Sequence, residues 1–145
     1  MSAHDFNRFV DAQASVFDTA LAEIRAGHKR SHWMWFIFPQ LRGLGYSAMA
    51  QHYGIASLDE AQAYIAHPLL GFRYRICVEA VAALKASDPV AIFGPTDAMK
   101  LRSSLTLFEA AKASPVIDQV LQCFFAGERD HATQRMLAAS TNATD

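Results

Sequence analysis

At 145 residues, with 52% hydrophobic and 19% charged residues and a formal net charge of −1, the chain has the make-up of one globular domain, not of a disordered segment. That balance excludes general binding to nucleic acid or anionic membrane, which needs a strong positive excess. The longest strongly apolar run, Trp33 to Phe38, is too short to span a bilayer, and Met1-Ser2-Ala3-His4-Asp5 lacks the segments of a secretory leader, so a cytoplasmic protein with no membrane partner is expected.

In chain order, Phe6, Phe9, Val10, Gln13, Phe17, Ala20, Leu21 and Ile24 follow the i, i+3, i+4 stripe of one amphipathic helix. Asp5 is suited to cap its start and Gly27 to end it. The run Trp33 to Phe38 lacks a strand partner elsewhere in the chain. It is therefore expected to be a central helix, apolar all round, capped by Ser31 and stopped before Pro39. Ser57-Leu58-Asp59-Glu60 forms a capping box for a helix ending near His67, and Pro68 opens a longer helix to about Ala86. Asp88-Pro89 starts a short helix that Gly94-Pro95 stops, and Thr96-Asp97 caps the next. Ser114-Pro115 starts a helix ended by Gly127, and Asp130 caps a last one, His131 to Ala139. The expected architecture is all-α, a single compact domain over residues 1–139 with seven to nine helices, followed by a frayed tail at 140–145. Cys77 and Cys123, each in apolar surroundings without a CxxC pattern, are expected to stay reduced and buried.

Two constellations bear chemistry. The first surrounds the aromatic run: Arg25, His28, Lys29, Arg30 and His32 precede Trp33 and Trp35, and Gln40 and Arg42 follow in a loop with Gly43 and Gly45. Cations at a helix end ordinarily complement its dipole and stay solvated, which accounts for Arg25 and His28. Lys29 and His32 adjoin the aromatic element and are candidates to grip an anion, with His32 the candidate general acid or base. No nucleophile or orienting carboxylate can be assigned to His32 from the sequence. Trp33 and Trp35 point about 200° apart on a helix, so one can face a pocket while the other packs.

The second constellation is Asp97, Lys100, Ser103, Ser104 and Thr106. Asp97, Lys100 and Ser104 share a helix face, and three hydroxyl residues in four positions are poor helix-interior choices unless they line something or let helices pack closely. The six histidines are scattered without HExxH spacing, and GxGxxG and P-loop patterns are absent, so neither a metal site nor a dinucleotide fold is expected. The sequence assigns neither a cofactor nor an oligomeric state.

The string Ser31-His32-Trp33-Met34-Trp35-Phe36-Ile37-Phe38-Pro39-Gln40 with Lys29 and Gly43-Leu44-Gly45 resembles the DUF1810 family. The likeness continues through Tyr53-Gly54-Ile55, His67-Pro68-Leu69-Leu70-Gly71, Ile92-Phe93-Gly94 with Asp97 and Lys100, and Ser103-Ser104-Leu105-Thr106-Leu107-Phe108, covering Phe9 to about Leu137. Leu105 departs from a pattern that more often has methionine, a swap that conserves volume. The resemblance implies a single all-helical domain and carries no established activity, substrate, cofactor or catalytic residue. A calpastatin-like label on some relatives is discounted, because such an inhibitor is expected to be extended and disordered. The family's characteristic polar residues coincide with the two constellations, which makes one shared pocket the leading expectation. Its ligand is then an anionic, nucleotide-like or phosphorylated small molecule, contacted by Lys29, Trp33, Trp35, Gln40, Arg42, Asp97, Lys100, Ser103 and Ser104. The alternative is a scaffold module whose polar string is structural and whose partner surface includes Phe72, Tyr64 or Tyr74 near Arg73 and Arg75.

Overall fold

Two long helices organise the molecule, and the remaining elements pack around them. The computed structural model describes residues 5–143, with side chains through residue 139. In chain order the helices are α1 Asn7–Ala14, α2 Phe17–Ala26, α3 Met34–Ile37, α4 Ala48–His52, α5 Leu58–Ala66, α6 Pro68–Ala82, α7 Pro89–Phe93, α8 Pro95–Ala110, α9 Val116–Phe125 and α10 His131–Ala143. The fold is all-α and a single domain, as the capping and periodicity imply. The only β-type pairing among the described residues is a parallel bridge between Leu41 and Ile55. No helix among them is long and apolar enough to cross a membrane.

Helix α6 packs against α2, α5 and α9, and α8 against α5, α7, α9 and α10. The two meet the aromatic core, where Phe9, Trp33, Phe38, Tyr64, Tyr74 and Phe108 are all essentially inaccessible. Burying a side chain of that size contributes roughly 1.5–3 kcal/mol. Tyr74 lies on Phe108 with ring centroids 4.4 Å apart and meets Phe38 edge-on at 5.7 Å. Burial pushes the Cys77 thiol up to about 12, so it is a neutral core group.

Local hydrogen bonds to polar side chains mark several helix starts. Asp5 Oδ1 accepts from the Asn7 N–H, Ser57 Oγ from Glu60, Asp88 Oδ1 from Val90 and Ala91, and Asp130 Oδ2 from Thr133. Gly27 ends α2 in the left-handed conformation with φ 73°.

Several boundaries differ from expectation, each for a physical reason. The first amphipathic stripe is two helices, broken at Ser15-Val16. The break lets α1 pack on α3 while α2 turns onto α6. It also leaves Gln13 buried, donating to Phe36 O at 2.7 Å and to the Tyr64 hydroxyl at 3.0 Å. The aromatic run is helical for one turn only, and Ser31 does not cap it. Helix α4 carries no periodic signal in five residues, yet Ser47 Oγ caps it through Ala50 N–H. Helix α6 stops at Ala82, since residues 83–88 offer only Leu84 for burial. Helix α8 begins at Pro95, with Gly94 (φ 85°) as its cap in place of Thr96-Asp97. With one helix split and α4 added, the described residues hold ten helices where the pattern alone gives seven to nine.

Of the tail expected at 140–145, the backbone of 140–143 continues α10, which runs to Ala143, and residues 144–145 lie outside the described residues. Cys123 corrects the expectation of two buried thiols: it is exposed on α9, while Cys77 is buried. Tyr64 and Tyr74 correct the expected partner surface, because both are core residues, leaving Phe72 as its one exposed aromatic at 59% accessibility.

Candidate functional site

The site is built around the segment joining α2 to α3. Beyond Gly27 the chain is stitched down by Lys29 N–H donating to Ile92 O of α7 at 2.9 Å. The Glu23 carboxylate, on the last turns of α2, then gathers the segment. Its Oε1 accepts from Arg30 N–H at 2.8 Å, Ser31 N–H at 3.0 Å and the Trp33 indole N–H at 2.9 Å, and its Oε2 accepts from the Ser31 hydroxyl at 2.6 Å. Desolvation raises the carboxyl's pKa, but these four hydrogen bonds outweigh it and hold the group at about 2.

With the backbone so placed, Lys29 reaches α8. Its Nζ lies 2.8 Å from Asp97 Oδ2, donates to Ser31 O at 2.5 Å, and stands 5.0 Å from the centre of the Trp33 ring. Asp97 is shared: its Oδ1 is 3.5 Å from Lys100 Nζ, one turn along α8. Lys100 covers the ring of half-buried Trp35, 3.6 Å from its centre. Each ammonium is thus sandwiched between one carboxylate and one indole face, and cation–π attraction adds to both pairs. Lys29, Lys100 and Asp97 together carry a net charge of +1, with the ionised Glu23 carboxylate on the Trp33 indole N–H outside that count.

The groups Lys29, His32, Trp33, Met34, Trp35, Asp97 and Lys100 line one shallow cleft of about 80 Å³. That is room for a few waters or a single small ionic group. His32 is exposed at its edge.

The structure therefore brings together Lys29, His32, Trp33, Trp35, Asp97 and Lys100 from the two constellations, and separates the rest. Ser104 is fully buried, its hydroxyl 3.0 Å from the Tyr74 hydroxyl, and Ser103 is buried on the same stretch of α8. Thr106 Oγ1 donates to Arg102 O and accepts from Asp130 N–H, tying α8 to the start of α10. The backbone oxygen of Gln40 accepts from Ile55 N–H. The Arg42 guanidinium donates to Gln51 O and Gly54 O at 3.0 Å each, and the residue lines a different cleft with Met136 and Leu137. Ser104 and Arg42 are thus engaged elsewhere, and neither they nor Ser103 and Gln40 line the Lys29–Lys100 cleft.

Sequence reasoning missed Glu23, which holds the segment carrying Lys29 and His32 in place. One signal was present: a carboxylate near the C-terminal end of a helix opposes the dipole, so it is better explained by a tertiary partner. Among the described residues no three His, Cys, Asp or Glu side chains converge as metal ligands.

The family model described as "Protein of unknown function (DUF1810)" matches residues 3–137 of the chain. Among solved structures, the crystal structure of the conserved hypothetical protein Rv1873 from Mycobacterium tuberculosis is 48% identical. That alignment covers 94% of this chain and 99% of the other, with a TM-score of 0.92. No curated protein matches the chain.

Proposed function

The chain belongs to the DUF1810 family, and since that membership brings no activity with it, we propose from the site's geometry that the protein binds an anionic group of a small molecule, a phosphoryl group above all, in the Lys29–Lys100 cleft. One observation carries this reading: Asp97 is a single carboxylate shared by two ammonium groups, which leaves unit positive charge in a cleft sized for one ionic group. The two cations are unequal. Lys29 has two of its three donors committed, to Asp97 at 2.8 Å and to Ser31 O, whereas Lys100 holds Asp97 only at 3.5 Å and is the group more readily turned to a ligand. His32, exposed at the edge, is the side chain placed to exchange a proton with whatever lies there, should chemistry follow binding. A cytoplasmic setting belongs to the same reading, as does the absence of a general nucleic-acid partner, which the net charge of −1 supports.

The rival reading makes the cluster a structural tie. It is favoured by Lys29, whose side chain is only 8% exposed and fastens the α2–α3 segment to α8. The test is a titration of inorganic phosphate, sugar phosphates and nucleotides followed by tryptophan fluorescence, since both tryptophans line the cleft. Binding that Lys100→Met weakens by roughly ten-fold or more, at near-normal thermal stability, supports the anion site. Silence across that panel, with no thermal stabilisation, leaves the structural tie as the reading.

A further inference from the structure

The Trp35 ring is the least explained part of the cleft. Every other side chain of the aromatic run, Trp33 to Phe38, is buried, and Trp35 alone is half-buried. Its covered face is held by the more weakly tethered of the two cations, Lys100, 3.6 Å from the ring centre and 3.5 Å from Asp97. Cation–π contact and ion pairing of this kind are worth about 1 kcal/mol each at a partly exposed position. An entering phosphoryl group offers Lys100 a doubly charged partner with several acceptor oxygens. The ammonium that turns to it leaves the indole face bare.

We infer that this bared face of Trp35 is a stacking platform for a planar heterocycle attached to the bound phosphoryl group, so that the ligand class is a nucleoside monophosphate. The inference rests on the anion reading above and adds the ring. The cleft of about 80 Å³ accepts the charged group, and the base lies outside it against Trp35. A ring stacked on one indole face, without hydrogen-bond readout of its edge, discriminates little between bases, because every base has a π-face.

Calorimetric titration of the full chain with adenosine 5′-monophosphate, cytidine 5′-monophosphate, ribose 5-phosphate and inorganic phosphate separates the possibilities. The expected result is that both nucleotides bind on the order of ten-fold more tightly than ribose 5-phosphate. Trp35→Leu should bring that ratio to near unity, and Trp35→Phe, which keeps a smaller aromatic face, should restore part of it. The Phe variant guards against mistaking a folding defect for a lost platform. Equal affinities for nucleotides and ribose 5-phosphate, with phosphate-dependent binding retained, would overturn the stacking platform and leave the anion site standing. Failure of all four probes to bind removes the anion site and the platform with it.

Discussion

The Trp33 indole N–H donates to Glu23 Oε1 at 2.9 Å, joining residues on either side of the segment that presents Lys29 and His32. Since the same carboxylate takes two backbone N–H groups and the Ser31 hydroxyl, it is the main side-chain anchor of a segment without regular structure, beside the Lys29 contacts to Ile92 and Asp97. Glu23→Gln replaces an ionised acceptor of four bonds with an amide that presents one oxygen and an unwanted NH2 group with two donors. It should lower stability by roughly 1–3 kcal/mol in denaturant unfolding and shift Trp33 emission, a change confined to that ring's environment.

The same carboxylate sets an acid limit. Its pKa lies below its ordinary 4.5, at about 2, in the folded protein. A depressed carboxylate stabilises the fold fully above its unfolded value and loses that contribution as protons bind the native state. The wild type should therefore lose stability as pH falls from about 4.5 towards 2, more steeply than Glu23→Gln over that window. Parallel acid-unfolding curves for the two proteins would show that Glu23 is not the responsible group.

What could be read from the sequence divides along the distance over which each contact acts. Caps at Ser57, Asp88 and Asp130 work within three residues, as does the Asp5 bond to Asn7 N–H just ahead of α1, so residue type and spacing were enough to place them. At the break between α1 and α2, Gln13 bonds Phe36 and Tyr64, which stand 23 and 51 residues away, and no local pattern carries those contacts. The candidate site shows the same division. Asp97 and Lys100 sit one turn apart and act together, but Ser104, on the same face by spacing, lies seven residues on, about 10 Å farther along the axis. There α6 closes over α8 and Tyr74 meets the serine, so a shared helical face did not mean a shared cleft.

That Tyr74–Ser104 contact is itself testable. Both hydroxyls are buried at a separation of 3.0 Å, and burial raises the Tyr74 pKa, keeping the phenol neutral. Tyr74→Phe or Ser104→Ala alone strands the other hydroxyl and should cost about 1–3 kcal/mol. The double variant should cost less than the sum of the two, a coupling that a double-mutant cycle reads directly. Phosphate titrations should be unaffected by Ser104→Ala, because its hydroxyl faces Tyr74 and not the Lys29–Lys100 cleft.

The two lysines should part company under substitution. Lys29→Met removes a 2.8 Å ion pair and the bond to Ser31 O from a nearly enclosed side chain, and should destabilise by roughly 1.5–3 kcal/mol. Lys100→Met removes a 3.5 Å pair at a more accessible position and should cost about 1 kcal/mol or less. Chemical denaturation of both variants checks the order, and equal losses would argue that Lys100 is as structural as Lys29.

A last prediction concerns the junction that sets α5 against α6. His67 Nδ1 accepts from the Leu69 and Leu70 N–H groups at 3.2 Å each, and Pro68 occupies the first position of α6, so the chain turns sharply between the helices. The turn brings the Ile65 carbonyl against Gly71, where an added Cβ would collide with that oxygen and lie 2.9 Å from its carbon. Neither atom is the end of a flexible side chain, so relief requires moving backbone. Gly71→Ala, normally a gain of about 1 kcal/mol inside a helix, should here destabilise by about 1–3 kcal/mol or more. A thermal melt showing a raised midpoint would mean that α5 and α6 separate more easily than this packing allows.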